Sequence, residues 1–474
     1  MSIRRDTAYN LLGQVTPLII SLVTIPMYIG LIGEARYGVL VMAWLLLGYF
    51  GLFDFGLGRA TAQSLAALRD STPAARAQVF WTSLVLNCGI GAVGGLLAWP
   101  ITSYLFTDVF VIEGALRLEI QSVVPWLAVA VPVAIICSML DGALLGRECF
   151  LELNLIAATG AILFQILPLG AAILGSGHLE VLLPAAVCAR LITLCMLFLV
   201  CRRQLWCGHR LSFERAAARR LLRFGGWVAV TSFVGPMMVI LDRFIIGAIS
   251  GAKAVSYYNV PFQLCERSTI ISSSLASALF PRFPSATPLE KQRLAQDALR
   301  LLIFVMTPLV LVGILFIEPF LAWWLTSEFA QNSSLVGQIV LVGFWFNALA
   351  LIPYSQLQAR GKPDLVAKCH LAELLPYLGL LYLGLKYFGL VGAAIAFSVR
   401  VIADFGLLAG LAGIFPWVLR VLAKPLLLLA AAFFIGRWFT LGTNEWMVLV
   451  LIHLTISAVW FVQKILTEWR EWSL

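Results

Sequence analysis

Charged side chains are scarce in this sequence. Only 12% of its 474 residues are Asp, Glu, Lys or Arg, whereas 61% are hydrophobic. Soluble globular domains carry about 25% charged residues. A chain of this size with so little charge cannot face water on all sides, which excludes a soluble enzyme, a disordered scaffold and a nucleic-acid-binding protein. The composition predicts an integral membrane protein.

The sequence also lacks the short motifs of common enzymes. It contains no HExxH, GxSxG or P-loop pattern, and its four histidines are far apart. Residues 89–94 (GIGAVG) match a dinucleotide fingerprint, but they lie inside an apolar stretch with no strand before them, so close helix packing explains them better. We therefore expect no enzymatic activity, no cofactor and no metal site.

Long apolar stretches recur along the whole chain. A bilayer core needs about 20 apolar residues per helix, and their continuous character favours helices over the alternating strands of a barrel. The predicted fold is an all-α polytopic membrane protein with about fourteen transmembrane helices. The predicted spans are 8–30, 38–58, 79–103, 122–145, 153–175, 180–200, 225–249, 255–280, 299–322, 335–358, 366–388, 390–411, 424–441 and 446–466.

The basic residues predict the orientation of these spans. With the N-terminus inside, 24 of the 33 Lys and Arg residues fall in inner loops and tails. Five fall in outer loops, namely Arg36, Arg117, Lys253, Lys386 and Arg437. Because cytoplasmic loops carry the excess of Lys and Arg, both termini are predicted to be cytoplasmic.

Three markers recur at a nearly constant spacing of 215 to 219 residues and indicate a duplication: Pro17 with Pro236, Gly33 with Gly251, and Gly146 with Gly361. The predicted organisation is a six-helix lobe at 1–200, a basic cytoplasmic linker at 201–224, a second six-helix lobe at 225–411, and two extra helices with a cytoplasmic tail at 412–474. Two pseudo-symmetric lobes with a cavity between them are a common transporter plan.

Four arginines lie at membrane depth, where a charge costs at least ~2.5–3.5 kcal/mol unless it is paired or hydrated. Arg190, Arg243 and Arg267 have no acidic residue three or four positions away on their own helices. The adjacent acids Asp242 and Glu266 point about 100° away around a helix, so we expect that they cannot neutralise the neighbouring arginines. Arg400 differs, because Asp404 follows at i+4 and favours a structural pair.

Two interpretations of these arginines stay open. One is pairing between helices with Asp242, Glu266, Glu373 or Asp141. The other is a cationic cavity in which Arg243, Arg267, Arg190 and Arg400 contact an anionic ligand, since guanidinium groups match phosphate geometry.

Several segments resemble the oligosaccharide flippases of bacterial polysaccharide biosynthesis, in the superfamily that includes MATE-type multidrug exporters. The most specific are 53–60 (FDFGLGRA) and 241–247 (LDRFIIG). The others are 10–14 (NLLGQ), 24–26 (TIP), 32–38 (IGEARYG), 257–258 (YY), 280–282 (FPR), 358–363 (QARGKP) and 389–394 (GLVGAA). The resemblance covers about residues 5–410.

The resemblance implies a MATE-like carrier in the bacterial inner membrane that flips undecaprenyl-pyrophosphate-linked oligosaccharide by alternating access. It makes Arg243 the best phosphate contact, and it assigns Asp54, Arg59 and Asp242 to a gate or family motif. Glu266, Glu373, Asp141 and Asp404 are the candidate residues for ion coupling. The expected partners are this lipid, the membrane, and a polysaccharide polymerase and export machinery.

Other functions also stay open. A cation-coupled multidrug exporter would have the same fold. A membrane glycosyltransferase or polymerase would need a catalytic acid near the outer surface, for which Glu113, Glu119 and Glu328 are the candidates. A structural assembly factor for polysaccharide export has only the two extra helices in its favour.

Overall fold

The computed structural model describes residues 3–49, 54–68, 71–112, 114–175, 177–206, 212–279, 288–360, 362–438 and 443–472. The predictions for 280–282, for position 361 and for part of the 201–224 linker therefore lie outside the described residues. Fourteen α-helices and two short π-helical segments, but no strand, occur in the described ranges. The all-α fold class is confirmed.

The helices follow one another through short connections. They are α1 (Ile3–Tyr49), α2 (Leu57–Ala67), α3 (Pro73–Tyr104), α4 (Gly114–Gly146), α5 (Phe150–Leu174), α6 (Leu179–Cys201), α7 (Arg215–Ile249), α8 (Gly251–Glu266), α9 (Thr269–Leu279), α10 (Pro288–Trp324), α11 (Ser327–Ala359), α12 (Pro363–Ala412), α13 (Phe415–Trp438) and α14 (Asn444–Trp472). Ten helical stretches in the described residues are long and apolar enough to cross a membrane.

Two of these helices turn back on themselves at a glycine. In α1, Gly33 has φ 77°, and the rings of Tyr28 and Tyr37 lie 6.1 Å apart, whereas nine residues of straight helix span about 13 Å. In α12, Gly389 has φ 57°. Only glycine adopts such angles without strain. Helix α12 therefore contains two of the predicted spans, and α1 contains the first span and the beginning of the second. Helix α7 and the α8–α9 pair occupy the positions of predicted spans seven and eight.

The second predicted span, 38–58, is not one continuous helix. Helix α1 ends at Tyr49, and α2 begins at Leu57. Phe55 and Gly56 before it have φ 51° and 71°, a left-handed conformation that interrupts a helix. Hydropathy did not predict this turn, because Phe55 and Gly56 are as apolar as the residues of a membrane-spanning helix.

Helix α2 packs against α4 along a seam of small residues. A Cβ atom on Gly142 would lie 2.0 Å from the carbonyl oxygen of Gly58, and one on Gly146 would lie 2.5 Å from that of Ala62. Both pairs follow a four-residue repeat on their helices, which brings small residues to the same face. The backbones touch, as is common where transmembrane helices pack closely.

The chain divides into two compact units, Met1–Ser256 and Tyr257–Leu474. In the first unit, α7 packs against α1, α2 and α3. In the second unit, α11 packs against α10 and α12, and α13 packs against α10. The lobe boundaries from the sequence stay a prediction.

Candidate functional site

Asp242 and Arg243 form a buried ion pair on α7. Arg243 Nη1 donates to Asp242 Oδ1 at 2.8 Å and to Oδ2 at 3.1 Å. The two residues are 1% and 2% exposed. The expectation that Asp242 points too far away to neutralise Arg243 is wrong, because the long arginine side chain bends back around the helix to reach its neighbour.

Arg190, on α6 in the same unit, has a different environment. Its guanidinium carbon lies 4.7 Å from the ring centre of Phe164 on α5, a cation–π distance. Asp141 on α4 acts on it electrostatically. Within the described residues, its buried Nε has no hydrogen-bond partner. Arg190 is therefore held by a ring and a nearby carboxylate but retains a free donor.

Arg267 lies at a break in the helix predicted for 255–280. Helix α8 ends at Glu266, Arg267 and Ser268 form a turn, and α9 begins at Thr269. The prediction of a continuous span is wrong here. Ser268 Oγ and Thr269 Oγ1 donate to the carbonyl oxygens of Cys265 and Glu266, and such side-chain bonds compete with helical ones.

The Arg267 side chain is half-buried, and in the described part of the chain it makes no ion pair. Broken helices at membrane depth are tolerated where the backbone is buried in protein or lines a water-filled cavity. Glu266 is exposed. Arg267 is thus a predicted cationic residue whose guanidinium has no carboxylate partner in the described residues.

A cluster of charged residues joins the two halves of α12. His370 Nε2 lies 3.5 Å from Asp404 Oδ1, and Glu373 interacts electrostatically with Asp404 and Arg400. The Arg400 guanidinium carbon lies 5.3 Å from the ring centre of Tyr377. Asp404 therefore contacts His370, because the bend at Gly389 brings a second helix segment alongside, and the i+4 pair of Arg400 with Asp404 stays a prediction.

Asp54 caps the start of α2. Its carboxylate accepts hydrogen bonds from Gly56 N at 2.7 Å, Gly58 N at 3.0 Å and Ser138 Oγ at 2.7 Å. It satisfies free backbone donors at a helix start and ties α2 to α4. Arg59, in the same segment, is exposed.

A further ionic network, centred on Glu119, was not predicted from the sequence. The carboxylate of Glu119 on α4 accepts hydrogen bonds from Arg36 Nη2 at 2.6 Å and from the backbone N of Leu179 at 2.9 Å, and it contacts His178 Nδ1 at 3.0 Å. A second pair, Lys253 Nζ and Glu34 Oε2, is 3.0 Å apart beside a cavity of about 330 Å³.

The contacts of Glu119 bring together residues of α1, α4 and α6, which are far apart in the sequence. The sequence indicated only that Glu119 and Arg36 both fall in predicted outer segments. For metals, no group of three or more His, Cys, Asp or Glu side chains placed to hold an ion occurs in the described residues.

Comparisons with known proteins identify the family. The model of the polysaccharide biosynthesis protein family matches residues 3–287. The chain belongs to this family. A Shigella flexneri protein described as "Putative O-antigen transporter" is 31% identical over 409 residues, which cover 85% of this chain and 96% of that protein.

Solved structures agree on the fold. The lipid II flippase MurJ, in an inward closed conformation, superposes with a TM-score of 0.75 at 14% identity, covering 98% of this chain and 100% of that one. An inward-facing multidrug resistance MATE transporter of the MOP superfamily gives 0.65 at 15% identity, covering 89% and 96%. At these identities the likeness shows the fold alone. The family and its relatives are transporters rather than enzymes, so the glycosyltransferase hypothesis is set aside.

Proposed function

We propose that this chain flips undecaprenyl-pyrophosphate-linked oligosaccharide repeat units from the cytoplasmic to the periplasmic leaflet by alternating access, in O-antigen or exopolysaccharide biosynthesis. The observation that carries the proposal is the 31% identity to the Shigella flexneri protein, which extends over 96% of that protein's length. The fold shared with the lipid II flippase MurJ supports it.

The charges at membrane depth give a physical reason for this substrate. A lipid pyrophosphate carries negative charge that cannot cross hydrocarbon unaided, and guanidinium groups bind phosphate through paired hydrogen bonds. Arg267, at the helix break and without an ion pair in the described residues, is the first proposed phosphate contact. Arg190, with its buried Nε free of a hydrogen bond in the described part of the chain, is the second.

Arg243 and Arg400 also remain proposed phosphate contacts, but each already interacts with other side chains. Arg243 is held by Asp242 at 2.8 Å, so a phosphate would have to replace that carboxylate. Arg400 lies between aromatic rings and the acidic groups of α12. We propose the turn that begins at Asp54, and the first turn of α2 that carries Arg59, as a structural support of the first unit rather than a substrate contact.

The setting proposed for this activity is the bacterial inner membrane, with both termini in the cytoplasm. The distribution of Lys and Arg supports it. A polysaccharide polymerase and export machinery are the proposed partners, because a flipped repeat unit must next be polymerised and exported.

A cation-coupled multidrug exporter is the second candidate, because a MATE transporter has the same fold. Drug cations would favour acidic contacts, and Asp141 on α4, which acts electrostatically on Arg190, is the acid of the first unit that could serve. The two functions differ in cells that lack the chain. A flippase predicts loss of surface polysaccharide and accumulation of the lipid-linked unit on the inner leaflet, both restored by the wild-type gene. Unchanged polysaccharide with increased drug sensitivity would overturn the proposal.

A further inference from the structure

The first turns of α7 carry an arginine-rich surface. Between residues 212 and 223 the chain has four arginines and one acid, Glu214. We call the surface the arginine stripe and define it by its residues: Arg215, Arg219, Arg220 and Arg223. All four are exposed, and none makes a hydrogen bond or an ion pair through its side chain in the described residues. The stripe therefore concentrates positive charge without a counter-charge from the described part of the chain.

The opposite side of the same turns holds α7 in the first unit. Ala217, Ala218 and Leu221 are buried, and Leu221 packs with Leu57 and Ala60 of α2. This contact fixes the rotation of the helix about its axis. The arginine stripe occupies the remaining sides of α7, so it faces away from the unit.

The position of the stripe along α7 places it beside the membrane. Helix α7 continues without a break from Arg215 into predicted span seven, which begins at residue 225. At about 1.5 Å per residue, Arg219 and Arg223 lie roughly 9 and 3 Å outside that span along the helix axis. The polar layer on each side of a bilayer core is about 5–8 Å thick. The stripe therefore lies at the depth of the lipid headgroups.

Two large apolar side chains are exposed beside the arginines. Phe213 is 48% exposed and Leu222 is 47% exposed. Leu222 lies among the arginines, because positions 215, 219 and 222 are three or four residues apart and share a face of the helix. Arginines mixed with exposed Leu and Phe are typical of helix surfaces that lie in the membrane interface.

The arginine stripe is unfavourable for α7 itself. Cations near a helix N-terminus oppose the helix dipole, and the first turn of α7 contains no acid to offset them. The N-cap residue Glu214 makes no capping hydrogen bond through its side chain. Arg215, Arg219 and Arg223 also place like charges four residues apart, which destabilises a helix. Anions that lie against this surface would relieve both kinds of repulsion.

We propose that the arginine stripe, together with Phe213 and Leu222, binds the headgroups of anionic phospholipids in the adjacent leaflet. The phosphate oxygens accept hydrogen bonds from the guanidinium groups, and the negative surface of the leaflet attracts basic residues. A phospholipid fits better than a soluble anion, because a soluble anion would leave both apolar side chains in water. The inference goes beyond the proposed transport function and does not depend on it.

Thermal unfolding of the delipidated full-length protein in neutral detergent tests the binding. Phosphatidylglycerol should raise the Tm of the wild type, whereas the same concentration of phosphatidylcholine should not, because its headgroup has no net charge. In the triple variant Arg219→Gln/Arg220→Gln/Arg223→Gln, the apparent affinity for phosphatidylglycerol should fall at least tenfold, since each basic residue near an anionic surface strengthens binding about fivefold.

The same variant separates lipid binding from a role in folding. Without lipid it should unfold at the wild-type Tm or above, because the like-charge repulsion is removed. A lower Tm without lipid, together with an unchanged affinity for phosphatidylglycerol, would overturn the proposal and make the arginines structural.

The matched control removes three exposed positive charges outside the stripe, in the triple variant Lys362→Gln/Arg420→Gln/Lys424→Gln. It should keep the wild-type affinity for phosphatidylglycerol. Equal losses of affinity in the two triple variants would overturn the stripe in favour of an effect of net charge alone. A wild type whose Tm does not respond to phosphatidylglycerol would also overturn the proposal.

Leu222→Gln distinguishes a phospholipid from a soluble polyphosphate. It keeps every arginine but removes an apolar contact with the acyl boundary, so the affinity for phosphatidylglycerol should fall about threefold or more. Inorganic pyrophosphate without lipid should change the Tm little. An equal rise in Tm with pyrophosphate, and an undiminished affinity for phosphatidylglycerol in Leu222→Gln, would overturn the lipid assignment in favour of a soluble anion.

Discussion

The buried Asp242–Arg243 pair gives the sharpest prediction about stability. Its side chains are 1% and 3% exposed and 2.8 Å apart. Asp242→Asn would replace the carboxylate that accepts from the buried guanidinium with a neutral amide. Removing one partner of a buried pair costs about 3–5 kcal/mol. At about 2 °C per kcal/mol, the Tm should fall by roughly 6–10 °C.

The double variant Asp242→Asn/Arg243→Met distinguishes two free energies: the cost of burying the Arg243 charge without the Asp242 carboxylate, and the stabilisation that the ion pair itself provides. With both charges removed, the Tm should recover most of the loss, because well-packed apolar replacements of buried pairs are often neutral. The matched control is Asp297→Asn, which breaks a pair with Arg300 whose side chains are 46% and 38% exposed. It should cost about 0–1 kcal/mol.

Thermal unfolding of the purified proteins in detergent measures all three variants under the same conditions. Equal Tm values for wild type and Asp242→Asn would refute the reasoning. So would a double variant that is as unstable as the single one, since the loss could not then come from an uncompensated charge.

Two further predictions concern the first unit. Gly142→Ala should lower the free energy of unfolding by about 1–3 kcal/mol, because the new methyl group would lie 2.0 Å from the carbonyl oxygen of Gly58. Gly170→Ala on α5, whose new methyl group would have nothing within 4 Å, should be neutral or stabilising. Equal changes in Tm for the two variants would show that α2 and α4 do not pack closely at Gly142. Glu119→Gln should weaken the network with Arg36 and cost about 1–3 kcal/mol, and an unchanged Tm would show that the network does not hold α1 to α4.

Composition and hydropathy predicted the fold class because membrane spans need only length and apolar character. The two bends and the early end of α1 depend on the backbone angles of particular residues. Gly33 was visible as a turn residue between spans, whereas the reversal at Phe55 and Gly56 lay within an apolar stretch. The break at Arg267 follows Pro261 by six residues, so the proline alone could not locate it.

The sequence also pointed to charged residues at predicted membrane depth, but not to their partners. A search for partners three or four positions away on the same helix misses an arginine that bends back to the adjacent residue, as Arg243 does to reach Asp242. It also misses pairs across a bend, such as His370 with Asp404. These contacts depend on side-chain reach and on tertiary packing, neither of which periodicity contains.

The central claim is that the guanidinium groups of Arg267 and Arg190, at predicted membrane depth, bind the phosphate of a lipid-linked substrate while it crosses the membrane. Arg267→Gln and Arg190→Gln, each at wild-type protein level, test it most directly through the surface polysaccharide of cells that lack the native gene. The matched control is Arg420→Gln, an exposed arginine on α13. The account predicts export reduced at least tenfold in Arg267→Gln, a smaller loss in Arg190→Gln and normal export in Arg420→Gln. Normal export by both Arg267→Gln and Arg190→Gln would contradict it.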